Sequence, residues 1–289
     1  MSAARPARVA VTALADVASR PRRVALGTFD GVHLGHRDVI RGCDTVLTFA
    51  PHPLAVVAPQ RAPKLLTTVE RRAELVAGLG VEELVVAPMD RAFATLGAAA
   101  FVEDVLVGAL GATHVSVGAN FRFGRGAEGD TDMLAADGRF ATRVVPLLEM
   151  DGDVVCSSRI RALLAAGRLE DAEALLGAPF AVAAEVTRLD RAAVRGYLVA
   201  QATIAEGHLL PAAGRYACCA TAAGRHHAAV ANVADGVVEV MLRDMGGDGP
   251  RGTLRLDFLG TLSPGTGPPA RPERVARVLP RAAHAAVGA

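Results

Sequence analysis

Apolar residues in the first half of the chain fall in short solid runs instead of strict alternation. Val24-Ala25-Leu26-Gly27, Thr45-Val46-Leu47-Thr48-Phe49, Glu83-Leu84-Val85-Val86-Ala87 and His114-Val115-Ser116-Val117 each read as a short strand buried on both faces. Between them the apolar spacing changes to threes and fours. A helix is predicted to open near Gly35 and to continue through Val39 to Asp44, and others over Val69–Leu79 and Ala99–Leu110. Buried strands alternating with helices predict an α/β fold, a parallel sheet covered by helices on both faces. Two further helices, Ser157–Leu164 and Leu169–Leu176, are separated by Gly167, and Gly177 takes the C-terminal capping position of the second.

From Phe180 the pattern changes. Ala181–Val186, Arg215–Ala220, Ala228–Val233, Val237–Leu242 and Thr253–Phe258 are strand-like and separated by Gly, Asp and Pro turns, with no long helix between them. This predicts a small antiparallel barrel or sandwich. Pro264–Pro269 reads as a linker to a short terminal helix around Pro272–Leu279. The expected division is therefore residues 1–179 and 180–289, two domains that a chain of 289 residues can fill.

Composition narrows the class of function. Hydrophobic residues make up 51% and aromatics 4%, so the apolar fraction is mainly Ala, Val and Leu. Arginine is abundant beside a single lysine, Lys64, a skew that reads as coding bias. A net charge of +1 and a pI near 7.8 give no reason to expect a nucleic-acid or membrane partner, though local phosphate binding needs only a few placed groups. No run approaches the 18 or so apolar residues of a membrane span. Met1–Arg23 is a poor secretory signal, its apolar stretch broken by Asp16. Cys43, Cys156, Cys218 and Cys219 form no CxxC pair, so reduced thiols in a cytoplasmic protein are expected, with no zinc site.

The chemistry concentrates in Gly27-Thr28-Phe29-Asp30-Gly31-Val32-His33-Leu34-Gly35-His36, which follows a predicted strand and opens a helix. Ligands of open parallel sheets bind at the carboxyl ends of strands, where this segment lies. Glycines let backbone approach a ligand, and a helix start offers N–H groups to an anion. His33 and His36, three apart, can both reach one phosphate and stabilise charge growing on it. Taken singly, a Gly-rich turn or a lone His is an ordinary structural feature; the whole His-x-Gly-His unit after a strand is not.

These residues resemble the GTFDGVHLGH signature of the bacterial bifunctional riboflavin kinase/FAD synthetases, whose first domain is a Rossmann-like HxGH nucleotidyltransferase. Thr48-Phe49-Ala50-Pro51-His52-Pro53 is similar to that family's TFxPHP. Val117-Gly118-Ala119-Asn120-Phe121-Arg122-Phe123-Gly124, followed by Gly129-Asp130, is similar to its VGxNFxFG. Cys156-Ser157-Ser158-Arg159-Ile160-Arg161 resembles SSTxIR, with Cys for the first Ser and Ser for Thr. The resemblance implies an FMN adenylyltransferase, with FMN and ATP as substrates and Mg2+ entering with the ATP. His33, His36, Ser157, Ser158 and Arg161 would be catalytic. Gly27, Thr28, Phe29, Asp30, Gly35 and Arg159 would bind ATP, the two serines and two arginines holding the departing phosphates. Pro51, His52, Pro53, Asn120, Phe121, Arg122 and Phe123 would bind flavin. Helix capping by Ser157-Ser158, a plain turn at His52 and a core position for one phenylalanine are the competing structural roles.

Two departures qualify the resemblance. Eleven residues separate His36 from Thr48, fewer than the family pattern implies, yet about the minimum for a helical crossover. In the barrel, the family's GRxLGFPTAN corresponds to Arg195–Ile204, where the Pro-Thr-Ala-Asn core is absent. Ala231-Asn232-Val233 resembles its NVG, but the RPTF segment after it is missing. Leu210–Tyr216 resembles an entry of the form PxxGVY. Val238–Asp244 with Gly247-Asp248 resembles VExxLLDFxGD, which puts Glu239 at the position of the family's kinase base. The expectation is a riboflavin-kinase-type barrel that has lost kinase activity. A rearranged loop that keeps both activities, a flavin- or nucleotide-binding regulator, and an adenylyltransferase with another acceptor remain as alternatives. Oligomeric state is left open.

Overall fold

The computed structural model describes residues 9–191, 197–243 and 252–264. Arg195 and Gly196, the segment containing Asp244, Gly247 and Asp248, the linker beyond residue 264 and the expected terminal helix lie outside the described residues. The chain packs as two compact units, one within Met1–Lys64 and Thr68–Cys156, the other within Leu65–Thr67 and Ser157–Ala289.

The first unit is built on six parallel strands, β1 (Ala10–Ala13), β2 (Arg22–Leu26), β3 (Thr45–Ala50), β4 (Glu83–Pro88), β5 (Ala112–Gly118) and β6 (Ala141–Val145), in the spatial order β1-β4-β3-β2-β5-β6. The crossover β2–β3 carries α1 (Leu34–Ile40), and β3–β4 carries α2 (Pro53–Val57) and α3 (Val69–Ala77). The β4–β5 crossover carries α4 (Arg91–Ala94), α5 (Ala98–Ala100) and a π-helix over Phe101–Ala109, while β5–β6 carries α6 (Thr131–Ala136). After β6 comes a small hairpin of β7 (Glu149–Met150) and β8 (Asp153–Val154). Successive side chains of a strand face opposite sides of a sheet. Thus Val24 and Leu26 pack with Phe101, Leu106 and Leu110, while Ala25 packs on the other face with Val39, Ile40 and Val76. Burying each such aliphatic side chain stabilises the fold by about 1.5–3 kcal/mol.

The second unit holds α7 (Ser157–Ala165) and α8 (Leu169–Leu176), then β9 (Phe180–Arg191), β10 (Tyr197–Ile204), β11 (Gly214–Ala222), β12 (Arg225–Ala234), β13 (Val237–Arg243) and β14 (Thr253–Pro264). These six antiparallel strands close into a barrel in the order β10-β13-β12-β11-β14-β9. Ala200, Ala231, Val240, Cys218 and Phe258 are among the side chains that fill its interior. All four cysteines are free thiols. Among the described residues no helix is long and apolar enough to cross a membrane.

The α/β class and the antiparallel barrel agree with expectation, and several elements add to it. Strands β1 and β6 are edge strands with exposed positions, so no solid apolar run announces them. Helix α1 stops at Ile40 instead of reaching Asp44, because Gly42 turns the chain at φ +78°. The helix expected over Ala99–Leu110 winds mainly as a π-helix; apolar spacing does not distinguish this from an α-helix.

Beneath the amino ends of the strands lies one buried cation. Arg22, 2% exposed, donates through Nε (3.1 Å) and Nη2 (2.9 Å) to Glu83 Oε2 and through Nη1 to the carbonyls of Ala18 (2.8 Å) and Leu110 (2.9 Å). Burial alone would raise the Glu83 carboxyl, but hydrogen bonds from Arg22 and Thr12 and the charges of Arg22 and Arg20 outweigh it and hold its pKa below the usual glutamate value. A depressed carboxylate pKa contributes stability that is present above the unfolded-state pKa and lost as pH falls through the folded one. Glu83→Gln is therefore expected to cost about 3 kcal/mol near neutral pH, by stranding a buried guanidinium. It should also flatten the acid limb of stability between those two pKa values. Urea unfolding at pH 7 and across the acid range checks both effects.

Candidate active site

In the β1-β4-β3-β2-β5-β6 order, the chain leaves β2 toward β3 on one side and leaves β5 toward β6 on the other. The loops at the carboxyl ends of β2 and β5 therefore diverge and leave a crevice between them, the preferred ligand position of open α/β sheets. The loop after β2 is Gly27–His33, the loop after β5 begins at Gly118 and contains Asn120–Gly124, and β3, the other neighbour of β2, ends at Ala50 before Pro51-His52-Pro53. Topology thus brings three of the four motifs to one end of three adjacent strands.

The β2–α1 loop has an unusual backbone. Phe29 (φ 47°), Gly31 (φ 87°) and Val32 (φ 43°) all lie in the left-handed region. That conformation is strained for a β-branched or bulky residue, at roughly 1–3 kcal/mol each. Phe29 and Val32 are nevertheless buried, packed with α1 and α3 against the sheet. His33 caps α1, its Nδ1 accepting the backbone N–H of His36 at 3.3 Å. An Nδ1 that accepts carries no proton, so in the neutral ring the proton sits on Nε2. The imidazoles of His33 and His36 stack at 3.5 Å with 19° between planes, and Phe29 meets His36 edge-on at 5.3 Å. The two histidines therefore present one paired surface. Of the N–H groups at this helix start, that of His36 is bonded to the His33 ring.

A buried arginine supports this loop. Arg72 on α3, 3% exposed, donates from Nη1 to Thr48 Oγ1 at 2.7 Å, and that hydroxyl donates to the Thr28 carbonyl at 2.9 Å. Burial pushes the Arg72 pKa down, while the charges of Asp30 and Glu70 push it back up. Asp30 is itself 1% exposed. The loop is thus tied to β3 by a hydroxyl and balanced by a cation from α3. Neither Arg72 nor Thr48 was among the expected site residues. The available signal was an arginine at an inward position of an amphipathic helix, since Arg72 shares the buried face of α3 with Ala73 and Val76.

Elsewhere the expected residues divide by environment. His52 is the N-cap of α2, its Nδ1 accepting the Leu54 N–H at 3.2 Å, so half of its imidazole is committed to a local turn. Asn120 is exposed. Phe121 is half-buried and stacked on Phe123 at 5.9 Å. Phe123 itself is core, 5.4 Å from Phe101. Arg122 is exposed and pairs with Asp130 at 3.1 Å, and Asp130 caps α6. The loop closes tightly: a Cβ at Gly129 would lie 2.7 Å from the Phe123 ring, and one at Gly124 2.7 Å from Ala98 N. Ser157, Ser158, Arg159 and Arg161 form the start of α7 in the second unit, and Glu239 is exposed on β13. Among the described residues no three His, Cys, Asp or Glu side chains form a metal-holding group.

A doubly wound sheet with a His-x-Gly-His loop at its reversal point defines a nucleotidyltransferase domain. The FAD synthetase family profile matches residues 16–159. A bifunctional riboflavin kinase/FMN adenylyltransferase from Listeria monocytogenes is 38% identical, over 73% of this chain and 71% of that protein. One from Bacillus subtilis is 32% identical over the same shares, and one from Escherichia coli 35% identical over 58% of each chain. The chain belongs to the bifunctional riboflavin kinase/FMN adenylyltransferase family. A crystal structure of a macrolide-efflux protein from Streptococcus pneumoniae shares the fold, with a TM-score of 0.78 over 95% of this chain and 97% of that one, at 22% identity.

Two substitutions separate scaffold from ligand contact. Arg72→Met removes the buried cation and is expected to cost about 2–3 kcal/mol, the worth of a charged hydrogen bond, read as a lowered urea midpoint. At Gly35 a Cβ would meet His33 and the Val155 carbonyl only at ordinary distances of 3.5–3.6 Å. Gly35→Ala should therefore leave stability unchanged or raise it by up to about 1 kcal/mol. Its KM for ATP should nonetheless rise about tenfold if the backbone there lies against the nucleotide; unfolding and steady-state kinetics read the two effects separately.

Proposed function

We propose that the chain makes FAD by transferring the AMP of ATP to the phosphate of FMN, and that its barrel does not phosphorylate riboflavin. The observation that carries the first part is the convergence of the loops after β3, β2 and β5 at the sheet's reversal point. A phosphate oxygen of FMN attacks the α-phosphorus of ATP in line, the bond from that phosphorus to the oxygen bridging the β-phosphate breaks, and pyrophosphate leaves. No protein nucleophile is required. FMN phosphate is already ionised at neutral pH, so Asp30 shapes the loop and takes no proton. His33, through Nε2–H, and His36 stabilise charge on the α-phosphate, and Gly27, Thr28, Phe29 and Gly35 form the wall against which ATP lies. Mg2+ enters as part of the ATP substrate, neutralising its phosphates.

For Ser157, Ser158, Arg159 and Arg161, the role of holding the departing β- and γ-phosphates rests on resemblance to SSTxIR, with hydroxyls and guanidiniums of suitable chemistry. Flavin would contact Pro51, His52, Pro53, Asn120, Phe121 and Arg122, with Phe123 setting the position of Phe121 from the core. The boundary near residue 179 and a cytoplasmic location belong to the same proposal.

Support for a silent barrel comes from β10. The residues corresponding to the family's Pro-Thr-Ala-Asn core lie in Tyr197–Ile204, a strand paired with β9 on one side and β13 on the other. Glu239 keeps its carboxylate, but a base without a phosphate-holding loop gives little transfer. Incubating the protein with ATP and Mg2+, and with FMN or riboflavin in turn, then resolving the flavins by chromatography, tests both parts. FAD from FMN with no FMN from riboflavin is expected. FMN from riboflavin would establish the fully bifunctional reading instead, and no product from either would point to a binder or to another acceptor.

A further inference from the structure

Where β11 turns into β12, a thiol, a hydroxyl and an imidazole meet that the proposed adenylyl transfer does not use. Along β11, Cys218 and Ala220 fill the barrel interior, so Cys219 and Thr221 face outward. The turn itself is a two-residue loop, Ala223 (φ 46°) and Gly224 (φ 75°), with both residues in the left-handed region that tight hairpins require. That loop fixes the register. It places His226 of β12 directly opposite Thr221 and diagonal to Cys219.

Both contacts converge on one atom. His226 Nδ1 lies 2.9 Å from Thr221 Oγ1 and 3.9 Å from Cys219 Sγ. With the ring proton on Nε2, Nδ1 turns its lone pair toward the hydroxyl and the thiol together. Burial pushes the Cys219 thiol pKa up and the charge of Asp257 adds to this, against a hydrogen bond with Thr221 and the charge of Arg255. Cys219 is therefore protonated near neutral pH and a poor nucleophile. His226 is exposed and its contact with the thiol is only partly buried, so a small ion reaches Sγ past the edge of the ring. Asp257 stands opposite Cys219 on β14, but its carboxylate is held by Arg255 Nε at 3.0 Å and adds no third donor.

We propose that Cys219 and His226 form a two-donor site on the barrel for a soft monovalent d10 cation, copper(I) or its analogue silver(I). Thiolate and imidazole are donors such an ion favours, whereas the Mg2+ that accompanies ATP favours oxygen. Bonds of about 2.3 Å to sulfur and about 2.0 Å to nitrogen, the lengths known for zinc, sum to about 4.3 Å along a straight sulfur–metal–nitrogen line. The 3.9 Å separation is within about 0.4 Å of that span, a shift an exposed ring beside a hairpin loop can make. Zinc is a poorer occupant, since a structural zinc takes four donors and no group of three exists among the described residues. On binding, the ion replaces the thiol proton, which passes to solvent. One metal–sulfur and one metal–nitrogen bond form, and Nδ1 gives up its contact with Thr221. The site is independent of the reaction proposed above.

The test uses the full, reduced chain without oxygen, titrated against copper(I) held by a chromophoric chelator, with Ag+ and Zn2+ as further probes. Wild type is expected to take one more copper(I) per chain from the chelator than Cys219→Ser does. His226→Gln should hold that ion at least about tenfold more weakly. Because His226 is exposed, His226→Gln keeps the test decisive should Cys219→Ser not fold. Ag+ should also shift the ring-nitrogen NMR resonance of His226, which binding to a thiol alone would leave in place. Copper(I) uptake unchanged in both variants would put the ion on Cys43 or Cys156 and overturn the proposal, as would no uptake at all. Loss in Cys219→Ser without change in His226→Gln would reduce the site to a single thiol and overturn it equally. Displacement of copper(I) by Zn2+ at equal concentration would contradict the assignment to a soft ion.

Discussion

Everything proposed for the nucleotide site depends on one strained turn held in place from beneath. Between β2 and α1 the chain passes through left-handed backbone at Phe29, Gly31 and Val32, which open backbone does not tolerate for a β-branched residue. Burial of Phe29 and Val32 offsets that strain, at about 2 kcal/mol per side chain. The chain of Arg72, Thr48 and the Thr28 carbonyl fixes the turn's height above the sheet. With the turn fixed, His33 caps α1 and stacks on His36.

The sheet explains why the turn lies where a ligand binds. Strands buried on both faces leave no room for chemistry along their length, so polar groups gather at strand ends. Reversal of strand order between β2 and β5 opens a crevice at one such end. The second unit follows a different logic. A closed barrel spends its inward positions on packing, and whatever it does chemically must come from the outer face or the loops. There β13 carries an exposed Glu239 and β11 a buried Arg215.

Much of this was legible in the residues, for physical reasons that also mark where legibility stops. The strands at Val24, Thr45, Glu83 and His114 announce themselves because burial on both faces demands solid apolar runs. Edge strands β1 and β6, half in solvent, carry no such mark. The His-x-Gly-His unit is local, so its identity and its place after a strand can both be read directly. Arg72 and Thr48 cannot be paired that way: 24 positions apart, they meet only once the sheet and α3 are folded. His52 and Phe123 show the opposite limit, where a motif residue proves to cap a helix or fill the core. Cross-strand neighbours in the barrel, such as Asn232 opposite Glu239, depend on strand register, which no local pattern specifies.

The central claim, that the loop after β2 performs adenylyl transfer, is tested most directly by removing one donor while keeping the cap. Asparagine is a good N-cap, so His33→Asn should hold α1 in place while deleting the Nε2–H. Measuring FMN-dependent release of pyrophosphate from ATP by wild type and His33→Asn, with unfolding as control, gives the answer. Because the His33 ring is buried and stacked on His36, the account predicts a folded variant destabilised by about 1–2 kcal/mol and a rate lower by about 100-fold or more, the usual worth of one preorganised donor. An unchanged rate in a folded variant would contradict it.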